Sequence, residues 1–132
     1  MGAGIRTVAD VEAFFQAFNA GDYETLFAKY MAEDCSWSAS EKVLEGRHEM
    51  LDYWTKSHSP IRETLGRPEN VVFGEGRVYL QVEIRLEFRE DGSFCGRPYK
   101  KGEVATMRCA DYYELNGENK IRRGVVYQRS LG

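Results

Sequence analysis

The spacing of hydrophobic residues in the first half of the chain is that of amphipathic helices. Apolar residues recur three and four positions apart in three segments, and this period predicts three helices. The first segment follows the capping-box pair Thr7 and Asp10, and the second follows Asp22, a favourable N-cap residue. The third extends from about Gly46 until Pro60 stops it.

In the second half of the chain apolar and polar residues alternate, which is the period of a β-strand. The alternation is strictest over residues 78–88, and it recurs over residues 103–115 and 120–129. A short segment with the same spacing, residues 35–38, lies between the second and third predicted helices. Turn-forming sequences separate the long strands: Gly74-Glu75-Gly76, Asp91-Gly92 and Asn116-Gly117.

This order of elements predicts an α+β fold, in which three helices precede a long-stranded antiparallel meander. Such strands exceed the common length of about 5–6 residues, and long strands twist and coil. A curled sheet with helices against its concave side tends to enclose a hollow, so we expect a functional site there. The 132 residues are predicted to form a single domain, residues 1–132.

Composition and charge exclude several classes of partner. The net charge is −3, which argues against a nucleic-acid-binding protein and against docking on anionic lipid. Uninterrupted apolar runs are only a few residues long, so no membrane span is predicted. Three cysteines (Cys35, Cys95 and Cys109) form no Cys-x-x-Cys pair, and an odd number predicts reduced, buried thiols in a cytoplasmic protein.

The search for catalytic motifs is largely negative. The two histidines, His48 and His58, are not at metal-ligand spacing, so no metal site is predicted. The sequence contains neither a Gly-x-Ser-x-Gly elbow nor a phosphate-binding loop. Aromatic residues make up 13% of the chain, enough to line a cavity as well as fill a core.

Asp111 breaks the pattern of its own strand. In the second long strand it falls on the face occupied by Met107, Cys109 and Tyr113, where every other position is apolar or aromatic. A carboxyl group on that face must be hydrogen-bonded or kept neutral by a raised pKa, because burying an unpaired charge is costly. A carboxyl with a shifted pKa in an aromatic pocket suits general acid–base catalysis, whereas the alternative is a structural group satisfied by the backbone, Tyr or Arg.

Several segments resemble the nuclear transport factor 2-like superfamily. They are residues 15–22, 30–35, 44–50 and 111–117, while residues 92–98 look most like its SnoaL-like polyketide cyclase branch. The resemblance implies a cone-shaped fold, with a strongly curved mixed β-sheet wrapped around three N-terminal helices, a deep apolar pocket and usually a homodimer. It implies no single reaction, because the superfamily contains isomerases, cyclases, dehydratases, epoxide hydrolases and proteins that are not enzymes.

Individual positions distinguish among these branches. Where ketosteroid isomerases carry a Tyr and a carboxylate base, this chain has Phe14 and Ala39. Where limonene epoxide hydrolases carry an Asp on the last strand it has Val126, and the Tyr-Asp pair of scytalone-type dehydratases corresponds to Phe18-Asn19. The single aspartate on the penultimate strand of SnoaL-like cyclases matches Asp111.

The resemblance therefore implies a pocket protein that carries out cofactor-free cyclisation, isomerisation or dehydration of an apolar, oxygenated small molecule. Asp111 would move the proton and Tyr30 could polarise an oxygen. His58 is a candidate second proton carrier, or else an exposed residue at a helix end. The predicted walls, which could equally be ordinary core, are Phe18, Trp37, Trp54, Leu86, Met107 and Val126.

Two other classes of function stay open at this point. The chain could hold an apolar ligand without converting it. Alternatively it could be a dimeric interaction domain with a collapsed interior, which would associate through the outer sheet face of Tyr79, Gln81, Glu83, Arg85 and Glu87. A sizeable cavity with the Asp111 carboxyl on its wall would argue against the interaction domain.

Overall fold

The computed structural model describes residues 4–39, 42–57, 60–94 and 96–131. Its three helices are α1 (Val8–Ala20), α2 (Tyr23–Tyr30) and α3 (Arg47–Ser57). Its strands are β1 (Met31–Ala39), β2 (Lys42–Glu45), β3 (Ile61–Leu65), β4 (Glu69–Gly74), β5 (Arg77–Phe88), β6 (Gly92–Phe94), β7 (Arg97–Tyr99), β8 (Val104–Leu115) and β9 (Ile121–Ser130). None of the helices in these ranges is both long and apolar enough to cross a membrane.

The predicted starts of α1 and α2 are confirmed by their capping contacts. The Thr7 hydroxyl accepts the Asp10 N–H at 3.2 Å, and the Asp10 carboxylate accepts the Thr7 N–H at 3.0 Å. Asp22 caps α2 by accepting the Thr25 N–H at 3.3 Å. Gly21 ends α1 with a φ of 90°, a left-handed conformation that glycine adopts without strain.

Seven strands form one mixed sheet in the order β2-β1-β9-β8-β5-β3, with β4 also paired to β5. The pairing of β1 with β9 is parallel, and the other pairings are antiparallel. The antiparallel meander predicted from the pattern is therefore only part of the sheet. The prediction lacked β1, the strand from the first half of the chain that pairs in parallel with β9. The sheet curls around the helices, which confirms the α+β fold.

The two faces of the sheet differ as the alternation predicts. Every second residue of β5 from Val78 to Phe88 is buried, while the residues between them face outward. The same alternation along β8 buries Met107, Cys109 and Asp111. The inner face packs against the helices in one hydrophobic core, so the interior of the cone is the place for a site.

Candidate functional site

A cavity of about 290 Å³ lies between the helices and the concave face of the sheet. It is at the lower end of the range for small-molecule sites, and its lining is mostly aromatic and aliphatic, as such sites usually are. The polar side chains on its wall include those of Lys42, Glu63, Asp111 and Gln128. The cavity thus combines an apolar wall with a few polar groups.

All six residues predicted as pocket walls line this cavity. They come from six different elements: Phe18 from α1, Trp37 from β1, Trp54 from α3, Leu86 from β5, Met107 from β8 and Val126 from β9. Each of the six lies on the inward-facing side of its helix or strand, and hydrophobic periodicity predicts which positions face inward. That they contact a substrate stays a prediction.

Asp111 lies on the cavity wall and is buried, with 8% of its surface exposed. Its Oδ2 atom accepts the Tyr113 O–H at 2.6 Å, and its Oδ1 atom has no hydrogen-bond partner in the described structure. Burial raises the pKa of Asp111 to about 7, which outweighs the lowering by the Tyr113 hydrogen bond, and the nearby Glu63 charge raises it further. Near neutral pH this carboxyl group can therefore both accept and release a proton.

Tyr113 holds the Asp111 carboxyl in place. It is 1% exposed, and burial, together with the neighbouring Asp111, raises its pKa well above the ordinary value. The phenol therefore keeps its proton and acts as a fixed donor to Oδ2. One oxygen of Asp111 is thus held by the protein, and the other is buried without a partner in the described structure.

Glu63 is a second carboxylate on the cavity wall that sequence reasoning missed. On β3 it lies between Ile61 and Leu65, and all three residues line the cavity. The signal was available in the alternation Ile61-x-Glu63-x-Leu65, which places a carboxylate on an otherwise apolar face, as at Asp111. The strand has only five residues and begins directly after Pro60, so its alternation is a weaker signal than that of the long strands.

Trp37 is fixed by close contact with the sheet beneath it. Its indole lies against Gly124, where a Cβ atom would collide with the ring. Trp54 meets it edge-on, with ring centroids 5.8 Å apart, and the Tyr113 ring lies 5.7 Å away. Trp37 and Tyr113 both pair with Gly124 in the sheet, so the missing side chain makes room for the two rings.

Of the remaining two proposed catalytic residues, only Tyr30 lies in the part of the chain that the structure describes. Tyr30 is 3% exposed and packs against Phe14, with ring centroids 4.9 Å apart, but it is absent from the described residues that line the cavity. Its position at the end of α2 directs it toward α1, so the expected role in polarising a substrate oxygen finds no support in the geometry. His58 lies outside the described residues, and its role stays a prediction.

Neither described cysteine is suited to nucleophilic chemistry. Burial raises the pKa of Cys35 to about 11 and that of Cys109 to about 12. Cys35 donates to the Met50 sulfur at 3.1 Å, and both thiols are free, as predicted. Cys95 lies outside the described residues. In the part of the chain that the structure describes, no group of three His, Cys, Asp or Glu side chains could hold a metal ion.

Comparison with known proteins identifies the fold. A family model described as the SnoaL-like domain matches residues 11–124. No curated protein matches the chain.

Three solved structures show how closely the fold is shared. A protein of Pseudomonas putida KT2440, provisionally assigned as a polyketide cyclase, is 20% identical with a TM-score of 0.76, covering 93% of this chain and 92% of its own. Another with the same provisional assignment, from Xanthomonas campestris pv. campestris, is 21% identical with a TM-score of 0.74, covering 89% and 85%. A SnoaL-like polyketide cyclase of Agrobacterium tumefaciens C58 is 16% identical with a TM-score of 0.73, covering 95% and 93%. At these identities the similarity shows a shared fold.

Proposed function

Since the chain belongs to the SnoaL-like family, we propose that it is an enzyme that carries out cofactor-free acid–base rearrangement of an apolar, oxygenated small molecule. The reaction would be a ring closure, an isomerisation or a dehydration. Each of these begins with the transfer of a proton next to a carbonyl or hydroxyl group. The proposal assigns that transfer to Asp111.

The observation that carries the proposal is the state of the Asp111 carboxyl. It lies on the wall of an aromatic cavity, one of its oxygens has no partner, and its pKa is about 7. A purely structural carboxylate in this position would be expected to have an Arg partner or a full set of hydrogen bonds. An acid–base group instead needs a pKa near the working pH and a free oxygen.

The proposed step conserves atoms and charge. Ionised Asp111 takes a proton from the carbon next to a ketone, the C–H electron pair forms the enolate C=C bond, and the carbonyl π pair moves to oxygen. The protonated Asp111 then returns the proton at a different atom, or gives it to a leaving hydroxyl. The aromatic walls contribute by excluding water and holding one conformation of the substrate.

Deuterium exchange at the α-carbons of 2-tetralone tests this step without knowledge of the natural substrate. In D₂O near neutral pD the protein should accelerate the exchange, and the Asp111→Asn variant should lose the acceleration. Glu114→Gln, which alters a carboxylate on the outer face of the same strand, is the matched control and should keep it. Unchanged acceleration in Asp111→Asn would contradict the role of this residue.

The same cavity supports a second candidate function, a ligand-binding protein without turnover. A space of about 290 Å³ contradicts the collapsed interior expected of a pure interaction domain, but it suits a binding module as well as an enzyme. Saturable binding of 2-tetralone without accelerated exchange would favour the binding module.

A homodimer through the outer sheet face is the corresponding proposal for assembly. The outer apolar patch is formed by Val72, Tyr79, Tyr112 and Tyr127, with 49% of Tyr79 and 69% of Tyr127 exposed. Tyr79 and Tyr112 pack together, with ring centroids 4.7 Å apart. A second copy is the favoured occupant because a two-fold contact reuses one patch on both partners. Sedimentation at tens of micromolar should show a dimer, and Tyr127→Glu should shift it toward monomer.

A further inference from the structure

The indole N–H of Trp37 is a buried donor that the described structure leaves without an acceptor. Trp37 is 7% exposed, and its Nε1 atom has no hydrogen-bond partner. A buried polar group that lacks a partner is costly, and in native structures such groups are few and are often functional. Because Trp37 lines the cavity, a ligand there is the natural source of an acceptor.

The contact with Gly124 shows which part of the indole lies against β9. The atoms of the indole nearest to Gly124 are Cε3, Cζ3 and Cδ2, which belong to the six-membered ring. In an indole, Nε1 belongs to the five-membered ring and lies on the edge opposite Cε3, so it is not the part of the ring that meets Gly124. Gly124 has no positive φ and sits in a regular strand, so the glycine serves this close approach rather than a turn.

Asp111 and Trp37 lie on the inner face of β8 and β1, with β9 between them. Trp37 of β1 is level with Tyr113 of β8 across Gly124 of β9, and Asp111 is the next inward-facing residue along β8. Asp111 offers an unpartnered oxygen and Trp37 an unpartnered donor. The nearby Tyr113 hydroxyl is already committed to Asp111, so it does not duplicate the role of Trp37.

Resting on the proposed function, we propose that the Trp37 Nε1–H donates a hydrogen bond to the carbonyl oxygen of the substrate while Asp111 acts on the adjacent carbon. The site then takes a flat, apolar ketone with an enolisable position. As the proton moves to Asp111, negative charge builds up on the oxygen, and a fixed donor in a dry site stabilises that charge more strongly than the neutral ketone. Lys42, a cation on the cavity wall, is the other group that could be expected to stabilise this charge. Its side chain is exposed, with the ammonium 5.5 Å from the Tyr53 ring centroid, so water weakens its attraction for the oxygen.

The test is the indole N–H signal of Trp37 in the intact protein with two matched probes. The probes are 2-acetylnaphthalene and 2-isopropenylnaphthalene, which differ only in having C=O or C=CH₂. The chain contains two tryptophans, so Trp37→Phe assigns both indole signals. We expect the ketone to move the Trp37 N–H proton signal downfield, and the alkene to cause only the smaller shift due to its ring.

Affinities provide the second measurement. Trp37→Phe should weaken binding of the ketone about 5- to 10-fold more than binding of the alkene, the effect of one lost hydrogen bond. Equal shifts and equal affinity changes for the two probes would overturn the role of Trp37 and leave ligand binding intact, as would a selective shift at Trp54. Binding of neither probe to the wild-type protein would overturn both this inference and the proposed ligand-binding function. Unchanged acceleration of exchange in Asp111→Asn would contradict the proposed function while leaving the hydrogen bond from Trp37 to the ketone intact.

Discussion

Asp111 and Glu114 are carboxylates of the same strand, β8, that lie on opposite faces of the sheet. Each accepts a hydrogen bond from a tyrosine two positions away, Asp111 from Tyr113 at 2.6 Å and Glu114 from Tyr112 at 2.8 Å. The pKa of Asp111 nevertheless rises to about 7, while the pKa of Glu114 falls below its ordinary value. The tyrosine bond lowers both pKa values, so it cannot explain the opposite directions.

The difference comes from what else surrounds each group. Glu114 also binds Arg122 at 2.6 Å and Arg123 at 3.0 Å, and these cations favour its charged form. Asp111 has the aromatic cavity around it, and burial is the largest cause of its raised pKa. One strand thus carries a carboxylate whose charged form is favoured by surface pairing and another whose neutral form is favoured by burial. Which face a residue occupies decides between these states.

The largest expected effect is the pH dependence of stability in Asp111→Asn. The folded protein keeps the Asp111 proton up to about pH 7, whereas the unfolded chain releases it near the ordinary value of 3.8. The wild type therefore loses stability as the pH rises through this window, by about 4 kcal/mol for a shift of this size. Asn does not titrate, so the free energy of unfolding of the variant relative to wild type should rise by about that amount between pH 4 and pH 7.5.

Urea unfolding of both proteins at several pH values measures this difference, in which the other titrating groups cancel. A difference that does not change with pH, or that changes in the opposite direction, would show that Asp111 is ionised in the folded protein and would weaken its proposed role.

The next effect comes from close packing on the inner face. Gly124→Ala places a methyl group where the Trp37 ring lies, so the ring must shift or the strand must move. We expect a loss of about 1–3 kcal/mol in the free energy of unfolding, as for other overpacked sites, and a changed Trp37 indole N–H signal. Gly117→Ala is the matched control, because nothing lies within 4 Å of its added Cβ, and its stability should stay within about 0.5 kcal/mol of wild type.

The comparison of the two faces also shows what the sequence could predict. Alternation along β5 and β8 was enough to predict the buried face and the presence of Asp111 on it. Side chains of a strand alternate between its two faces, and only one face of this sheet packs against the helices. The parallel pairing of β1 with β9 could not be predicted from pattern, since it joins segments more than eighty positions apart. Its register places Trp37 opposite Gly124, a contact that involves residues from both segments.

The residues of the candidate site also divide into those that the sequence could predict and those that it could not. The six wall residues follow from periodicity, and Glu63 could have been found by the argument used for Asp111. Tyr30 packs against Phe14 and is absent from the cavity lining, because helical spacing indicates which residues turn inward but not whether they meet a cavity or another helix. The unpartnered N–H of Trp37 is invisible in the sequence, because it depends on how the indole is seated.

A smaller effect is expected when the tyrosine bond to Asp111 is removed. Tyr113→Phe deletes the hydrogen bond that lowers the pKa of Asp111, so this pKa should move up from about 7. Stability should fall by about 1–2 kcal/mol, the usual cost of losing a buried hydrogen bond. Carboxyl ¹³C titration by NMR measures the pKa, and Tyr112→Phe should leave the titration of Asp111 unchanged because Tyr112 contacts Glu114 on the other face. A downward shift in Tyr113→Phe would contradict the electrostatic account of the pair.

The smallest effect is expected at Glu114, and its sign is the sharpest check on the comparison. Glu114→Gln removes ion pairs with Arg122 and Arg123, whose side chains are 55% and 51% exposed, so the loss should be no more than about 1 kcal/mol. The pKa of Glu114 is lowered in the folded protein, so the stability it provides is present at neutral pH and is lost as the pH falls through the folded pKa. The wild type should therefore exceed Glu114→Gln in stability at pH 7 and approach it in acid, the reverse of the trend at Asp111. High salt should reduce the difference at pH 7, because exposed pairs are screened. If both variants gained stability relative to wild type with rising pH, the two faces of β8 would not differ electrostatically as described.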